Sequence, residues 1–188
     1  MPSTTGPRGQ WFPKPYADRV AKLRVPGGFV LIAAFLYYAA PDARSIAVGV
    51  PLALLGLVLR AWATGHLEKN LELTTSGPYG HLRNPLYAGT LTVAAGLAIA
   101  ARRWPLAILF AAVFALVYLP VVELEEQHLR ELFPGYGEYA RRVPAFWPRL
   151  TSAGADKPFR WSLYARNREY QALLGFLAAL AVLVWKCR

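Results

Sequence analysis

The sequence predicts an all-α integral membrane protein of about five transmembrane helices, with a polar site at the cytoplasmic face in its C-terminal half. Three observations carry this expectation. Apolar residues make up 55% of the 188 positions, against about 45–50% in an ordinary globular chain. Charged residues are only 17%, yet the net charge is +10, and the basic residues fall between apolar blocks rather than in one patch. Third, a turn-rich polar stretch, Gly77-Pro78-Tyr79-Gly80-His81-Leu82-Arg83-Asn84-Pro85, stands directly before an apolar hairpin that runs out into Glu125-Glu126-Gln127-His128. Together they exclude a soluble bundle and favour topology over nucleic-acid binding as the cause of the charge.

Residues 1–24 read as a basic, aromatic interfacial segment. They hold Arg8, Lys14, Arg19, Lys22 and Arg24 beside Trp11, Phe12 and Tyr16, and such rings favour the headgroup level. A cleavable signal peptide over the first forty or so residues is the rival reading. Five apolar blocks follow, at about Val25–Ala40, Ile46–Ala63, Leu86–Ala101, Leu106–Val122 and Tyr170–Trp185. At about 1.5 Å per residue each spans roughly 24–27 Å, near the low end for a bilayer core of about 30 Å. Within them only the second carries a charge, Arg60, in its last turn. With five spans, sixteen of the 21 Lys and Arg residues fall on one face. The positive-inside rule then puts the N-terminus, the 64–85 loop and the 123–169 segment in the cytoplasm of a multi-pass cell (inner) membrane protein.

The residues able to carry chemistry gather in the polar stretch and at the exit of the fourth block. Asn84-Pro85 is a helix-start pair, a good N-cap followed by the residue that loses least at the first helical position. Asn84 is a cap, a wall of a ligand site, or both. Tyr79 and Tyr87 read as interfacial rings or as site aromatics. Glu125 reads as a solvated exit residue or as a partly buried carboxylate for a cationic ligand, while Glu126 can pair with Arg130 one turn on. His66, His81 and His128 lack metal-ligand spacing, so no metal is expected. There is no phosphate loop, no dinucleotide fingerprint and no nucleophile elbow. Cys187, the one cysteine, reads as incidental.

Four motifs occur in order: Thr75-Ser76-Gly77-Pro78-Tyr79; Arg83-Asn84-Pro85-Leu86-Tyr87-Ala88-Gly89; Glu125-Glu126-Gln127-His128-Leu129; and Tyr136-Gly137-Glu138-Tyr139-Ala140-Arg141-Arg142-Val143-Pro144. Together they resemble the isoprenylcysteine carboxyl methyltransferase and phospholipid methyltransferase group of integral membrane enzymes. The motif-bearing part covers residues 71–148, within a helical membrane domain of residues 25–188. The resemblance implies S-adenosylmethionine-dependent methyl transfer to a lipid or other lipophilic, membrane-associated acceptor, with no nucleic-acid partner. It assigns the cofactor to Leu73, Thr74, Tyr79, Asn84, Pro85, Leu86, Tyr87 and Glu125, and names no catalytic residue. Two positions depart from the family pattern. Asn84 stands where a histidine is usual, and Val121 stands where eukaryotic members carry a substrate-binding arginine, so a prenylcysteine carboxylate is not the expected acceptor. A nicotinamide-dependent membrane reductase with a similar Arg-His-Pro-x-Tyr segment, and a non-catalytic membrane protein retaining the fold, are the alternative readings.

Overall fold

The computed structural model describes residues 12–154 and 157–187, so Arg8 and Trp11 of the interfacial segment lie outside it. Among the described residues the regular structure is entirely helical. α1 spans Lys14–Tyr38 and bends by 49° between Pro15–Leu23 and Pro26–Tyr38. Pro26 has no N–H for the preceding turn and its ring crowds the carbonyl there. The interfacial stretch and the first apolar block are thus two limbs of one bent helix.

α2, Ala43–Thr64, opens on a capping box: the Asp42 carboxylate accepts from the Ser45 N–H at 2.7 Å, and the Asp42 N–H donates to the Ser45 hydroxyl at 3.0 Å. α3, Pro85–Ala101, starts at the proline the sequence marks and stops at Arg102, which takes a left-handed φ of 54°. α4 (Trp104–Val113), a π turn (Phe114–Tyr118) and α5 (Leu119–Leu132) form one continuous run. The π turn has a local cause. Pro120 cannot donate to the Leu116 carbonyl one turn back, which is left to accept the Tyr16 hydroxyl at 2.7 Å. The freed carbonyl finds a partner, and the first limb of α1 is tied to the fourth apolar block.

α6 (Tyr136–Arg142) and α7 (Trp161–Arg166) are short, and α8 runs Tyr170–Lys186. Two runs, Ala43–Thr64 and Trp104–Leu132, are long and apolar enough to cross a bilayer, and α1 makes a third if its two limbs count as one span. α3 and α8 are apolar but only 17 residues each, so a count of five rests on two short helices.

Packing is tightest between α2 and α3. A Cβ added at Gly49 or Gly56 would lie 2.4 Å from the Gly96 carbonyl oxygen or 2.6 Å from that of Gly89, and one at Gly96 would lie 2.4 Å from the Ala53 nitrogen. Only glycine lets the two backbones approach this closely. The end of this pair away from the polar stretch is closed by Phe35, Ala39, Ala100, Ala101, Leu106 and Leu183. Arg102 pairs with Asp42 there, and the Lys186 ammonium donates to the carbonyls of Tyr37 and Ala39.

Candidate functional site

The tight α2–α3 pair fixes where the 65–84 connection begins and ends. Gly77 makes a turn at φ +55°, packed so closely on His66 that a Cβ would lie 2.6 Å from its ring. His66 Nδ1 is 3.1 Å from the Ser76 hydroxyl, and desolvation by burial holds the imidazole below its ordinary pKa. A 3₁₀ turn at Gly77–Gly80 then buries Tyr79. The returning segment after α6 locks this turn through its backbone: Arg83 N–H donates to Pro144, Asn84 to Ala145, Arg149 to His81 and Ala153 to Gly80, all within 3.2 Å.

All eight residues expected at the cofactor site, Leu73, Thr74, Tyr79, Asn84, Pro85, Leu86, Tyr87 and Glu125, line one cleft at this end of the molecule. It encloses about 70 Å³, room for a few water molecules. The Tyr87 hydroxyl donates to Glu125 Oε2 at 2.7 Å, which joins the first turn of α3 to the exit of the fourth apolar block. Thr74 is buried, and its hydroxyl has no hydrogen-bond partner among the described residues. A buried hydroxyl without a partner is costly unless something else satisfies it.

Three expectations are adjusted. Asn84 sits at the N-cap position, but its side chain makes no capping bond; its amide donates instead to Glu126 Oε1 at 3.0 Å. Glu126 is the hub of a small ion cluster, 3.1 Å from Arg83 and 4.0 Å from Arg130, so the helical pair is its weaker contact. Glu125 is exposed at the cleft, because its neighbours on α5 turn inward while it faces the open side.

The sequence reading did not place several other lining residues. Tyr136 and Tyr139 of α6 form the floor with Arg83 and Leu129. The buried Tyr139 hydroxyl donates to the Tyr79 carbonyl at 2.8 Å, and Arg83 Nη1 donates to the Ala140 carbonyl at 2.7 Å. Burial raises the phenols of Tyr79, Tyr136 and Tyr139 well above their usual range, so they act as neutral donors. The fourth motif carries both α6 tyrosines, and their three-residue spacing places them on one helix face. Glu68 and Glu72 line the outer wall. Among the described residues no group of three or more His, Cys, Asp and Glu is arranged to hold a metal ion.

This is a helical membrane protein whose polar cleft lies where two apolar helices meet a cluster of polar loops. Residues 44–135 match the phospholipid methyltransferase family, and the chain carries a domain of that family. Over 106 residues, 55% of the chain, it is 41% identical to the cobalt-zinc-cadmium resistance protein CzcN of Cupriavidus metallidurans, covering 48% of that protein. It is 36% identical over 141 residues, 73% of the chain, to the nickel-cobalt-cadmium resistance protein NccN of Alcaligenes xylosoxydans xylosoxydans, covering 60% of it. The chain thus spans about half to three-fifths of the length of these curated relatives. No solved structure matches the chain.

Proposed function

We propose that the protein transfers a methyl group from S-adenosylmethionine to a lipophilic acceptor at the cytoplasmic membrane face. The observation that carries this reading is the single cleft lined by all eight expected residues, with the unpartnered Thr74 hydroxyl in its wall. The donor set suits the cofactor. Glu125, Glu68 and Glu72 offer carboxylates to an ammonium, a sulfonium or ribose hydroxyls, Arg83 offers a cation, and Tyr79, Tyr136 and Tyr139 offer aromatic surface. At about 70 Å³ the cleft must widen to admit it, and Lys69-Asn70 is an exposed part of its wall.

The sulfonium supplies an already activated methyl group, so the chain need not provide a covalent nucleophile. Its own residues would orient and shield. Glu125, steadied by Tyr87, would hold the polar end of the cofactor; the buried Tyr79 would separate the cleft from the bilayer side; and the Tyr136–Tyr139 floor would keep water out. The relatives' names concern metal resistance. If that role extends to this chain, modification of a membrane component suits the cleft better than chelation, because the described residues gather no ligand set.

Calorimetry with the purified protein tests the proposal by comparing S-adenosylmethionine with NADPH. Binding of the first alone is expected. Binding of NADPH alone would favour the reductase reading, and binding of neither the non-catalytic one. Glu125→Gln is expected to weaken S-adenosylmethionine binding by at least about tenfold, about 1.4 kcal/mol. Tyr87→Phe loses less, and Glu131→Gln, further along the same helix, is silent. Equal affinities for Glu125→Gln and Glu131→Gln would displace the site.

A further inference from the structure

On the bilayer side of the cleft lies a second and larger space, a groove of about 570 Å³ walled by α1, α2, α3, α4 and α8. Phe35, Leu57, Leu97, Phe110 and Phe176 give it an apolar lining, and its volume is that of a small-molecule site. The polar side chains bordering it are Arg60, one turn nearer the polar stretch than Leu57 on α2, and Thr90, one turn deeper into α3 than Leu86. Arg60 Nη1 reaches the Leu86 carbonyl at 3.4 Å and the Thr90 hydroxyl, and Leu86 also lines the cleft. Arg60 therefore lines the groove and bonds to the backbone of a residue that lines the cleft.

The charge of Arg60 is already matched. Glu169, buried at the start of α8, accepts from its Nε at 2.6 Å and its Nη2 at 2.9 Å in a bidentate pair. Of the five guanidinium N–H groups, these bonds and those to Leu86 and Thr90 use four, which leaves one donor without a partner among the described residues. A charged head group entering here would give up water against a pair that has no net charge to return. A head group that is polar but uncharged needs only a hydrogen bond. We propose that this groove holds the hydrocarbon chain of the methyl acceptor, and that the Arg60–Glu169 pair at its polar end selects an uncharged head group, such as a long-chain alcohol or phenol. The inference rests on the methyltransferase reading, because it makes the occupant the acceptor.

Photo-crosslinking of the full chain in detergent micelles tests it without turnover. Three hexadecyl probes carry a chain diazirine and differ in the head: hydroxyl, sulfonate or trimethylammonium. Peptides around Phe35 and Phe176 are expected to take the alcohol at least about fivefold more than either charged probe. Gly175 lines the groove and has open space around its Cβ position, so Gly175→Phe should abolish this labelling. Leu55→Phe, at an exposed site on α2, should leave it intact. Glu169→Gln uncovers the Arg60 cation and should turn the preference towards the sulfonate; if that variant does not fold, Gly175→Phe carries the test. Equal labelling by all three probes would mean an ordinary lipid crevice and overturn the proposal, as would no labelling at all or a folded Glu169→Gln with unchanged preference. S-adenosylmethionine calorimetry on the same samples keeps the two readings apart. Its failure alone would remove the methyltransferase reading, whereas a loss of head-group selectivity with cofactor binding intact would remove only this one.

Discussion

One side of α3 presents Gly89 and Gly96 to α2, and the backbones meet so closely that an added Cβ on either would lie within 2.6 Å of another atom. Another side presents Thr90, Ala94 and Leu97 to a groove of about 570 Å³, across which α8 offers Gly175 with nothing within 4 Å of its Cβ position. The same helix therefore serves as half of a rigid frame and as one wall of an open space. Small residues serve opposite ends in the two places: in the α2–α3 pair they let backbones touch, and on α8 they leave room. A membrane helix gains little from apolar burial against lipid and associates mainly through close packing. The close-packed pair is then the element able to hold the polar cleft in place.

Substitution of the two kinds of glycine gives the largest expected effect. Gly96→Val forces a branched side chain against the Ala53 backbone, and the loss should reach the upper end of overpacking costs, about 3 kcal/mol or more. Gly175→Ala meets nothing and should stay within about 0.5 kcal/mol of the parent. Thermal unfolding in detergent compares them. Similar losses would break the distinction between frame and groove, because they would show α8 packed as tightly as α3.

Much of the frame is legible in the sequence. Asn84-Pro85 marks the start of α3, and the order of the four motifs around a helical hairpin marks the residues that share the cleft. The chain could not show what depends on pairing across it. Arg60 reads as a loop-flanking charge, yet Glu169, 109 positions away, neutralises it inside the fold. The π turn before Pro120 looks like ordinary apolar helix, because nothing local shows that Tyr16 will take the carbonyl Pro120 leaves open. Asn84 reads as a cap, but Glu126 offers its amide a charged acceptor, and a charge-assisted bond outcompetes a neutral one. Tyr136 and Tyr139 belong to a motif whose role only the packing against Tyr79 reveals.

A smaller effect is expected where the frame hands over to the cleft. His66 is buried beyond the end of α2, and burial lowers its pKa from 6.5. The unfolded chain therefore binds a proton that the folded one resists. Stability from the neutral imidazole is fully present above about pH 6.5 and declines as the pH falls through that value towards the lower folded pKa. Melting temperatures taken from about pH 7.5 down to about 5.5 should fall more steeply for the parent than for His66→Gln. Parallel curves would show that the turn at Ser76-Gly77 does not depend on a neutral ring.

The smallest effect concerns the strap from residue 157 into α7, which lies over the same end of the frame. Phe159 packs directly on Gly65, and the Arg160 N–H donates to the Gly65 carbonyl at 2.9 Å. Asn167 donates to the carbonyls of Thr64 and Leu67, supplying partners at the end of α2. The strap's two cations meet cleft carboxylates: Lys157 lies 2.6 Å from Glu72, and Arg160 pairs with Glu68. Both pairs are largely open to solvent, so each should contribute about 0.2–1 kcal/mol at most and fade as salt is raised. If they hold the outer wall of the cleft, the S-adenosylmethionine affinity of the parent should shift by up to about threefold between low and high ionic strength. In a Lys157→Ala, Arg160→Ala double variant that dependence should flatten, with the melting temperature nearly unchanged. A double variant as salt-sensitive as the parent would place the origin elsewhere, at Glu125 or Arg83. It would also mean that the wall is held by Phe159 on Gly65 and the Asn167 bonds, apolar packing and neutral hydrogen bonds that salt does not screen.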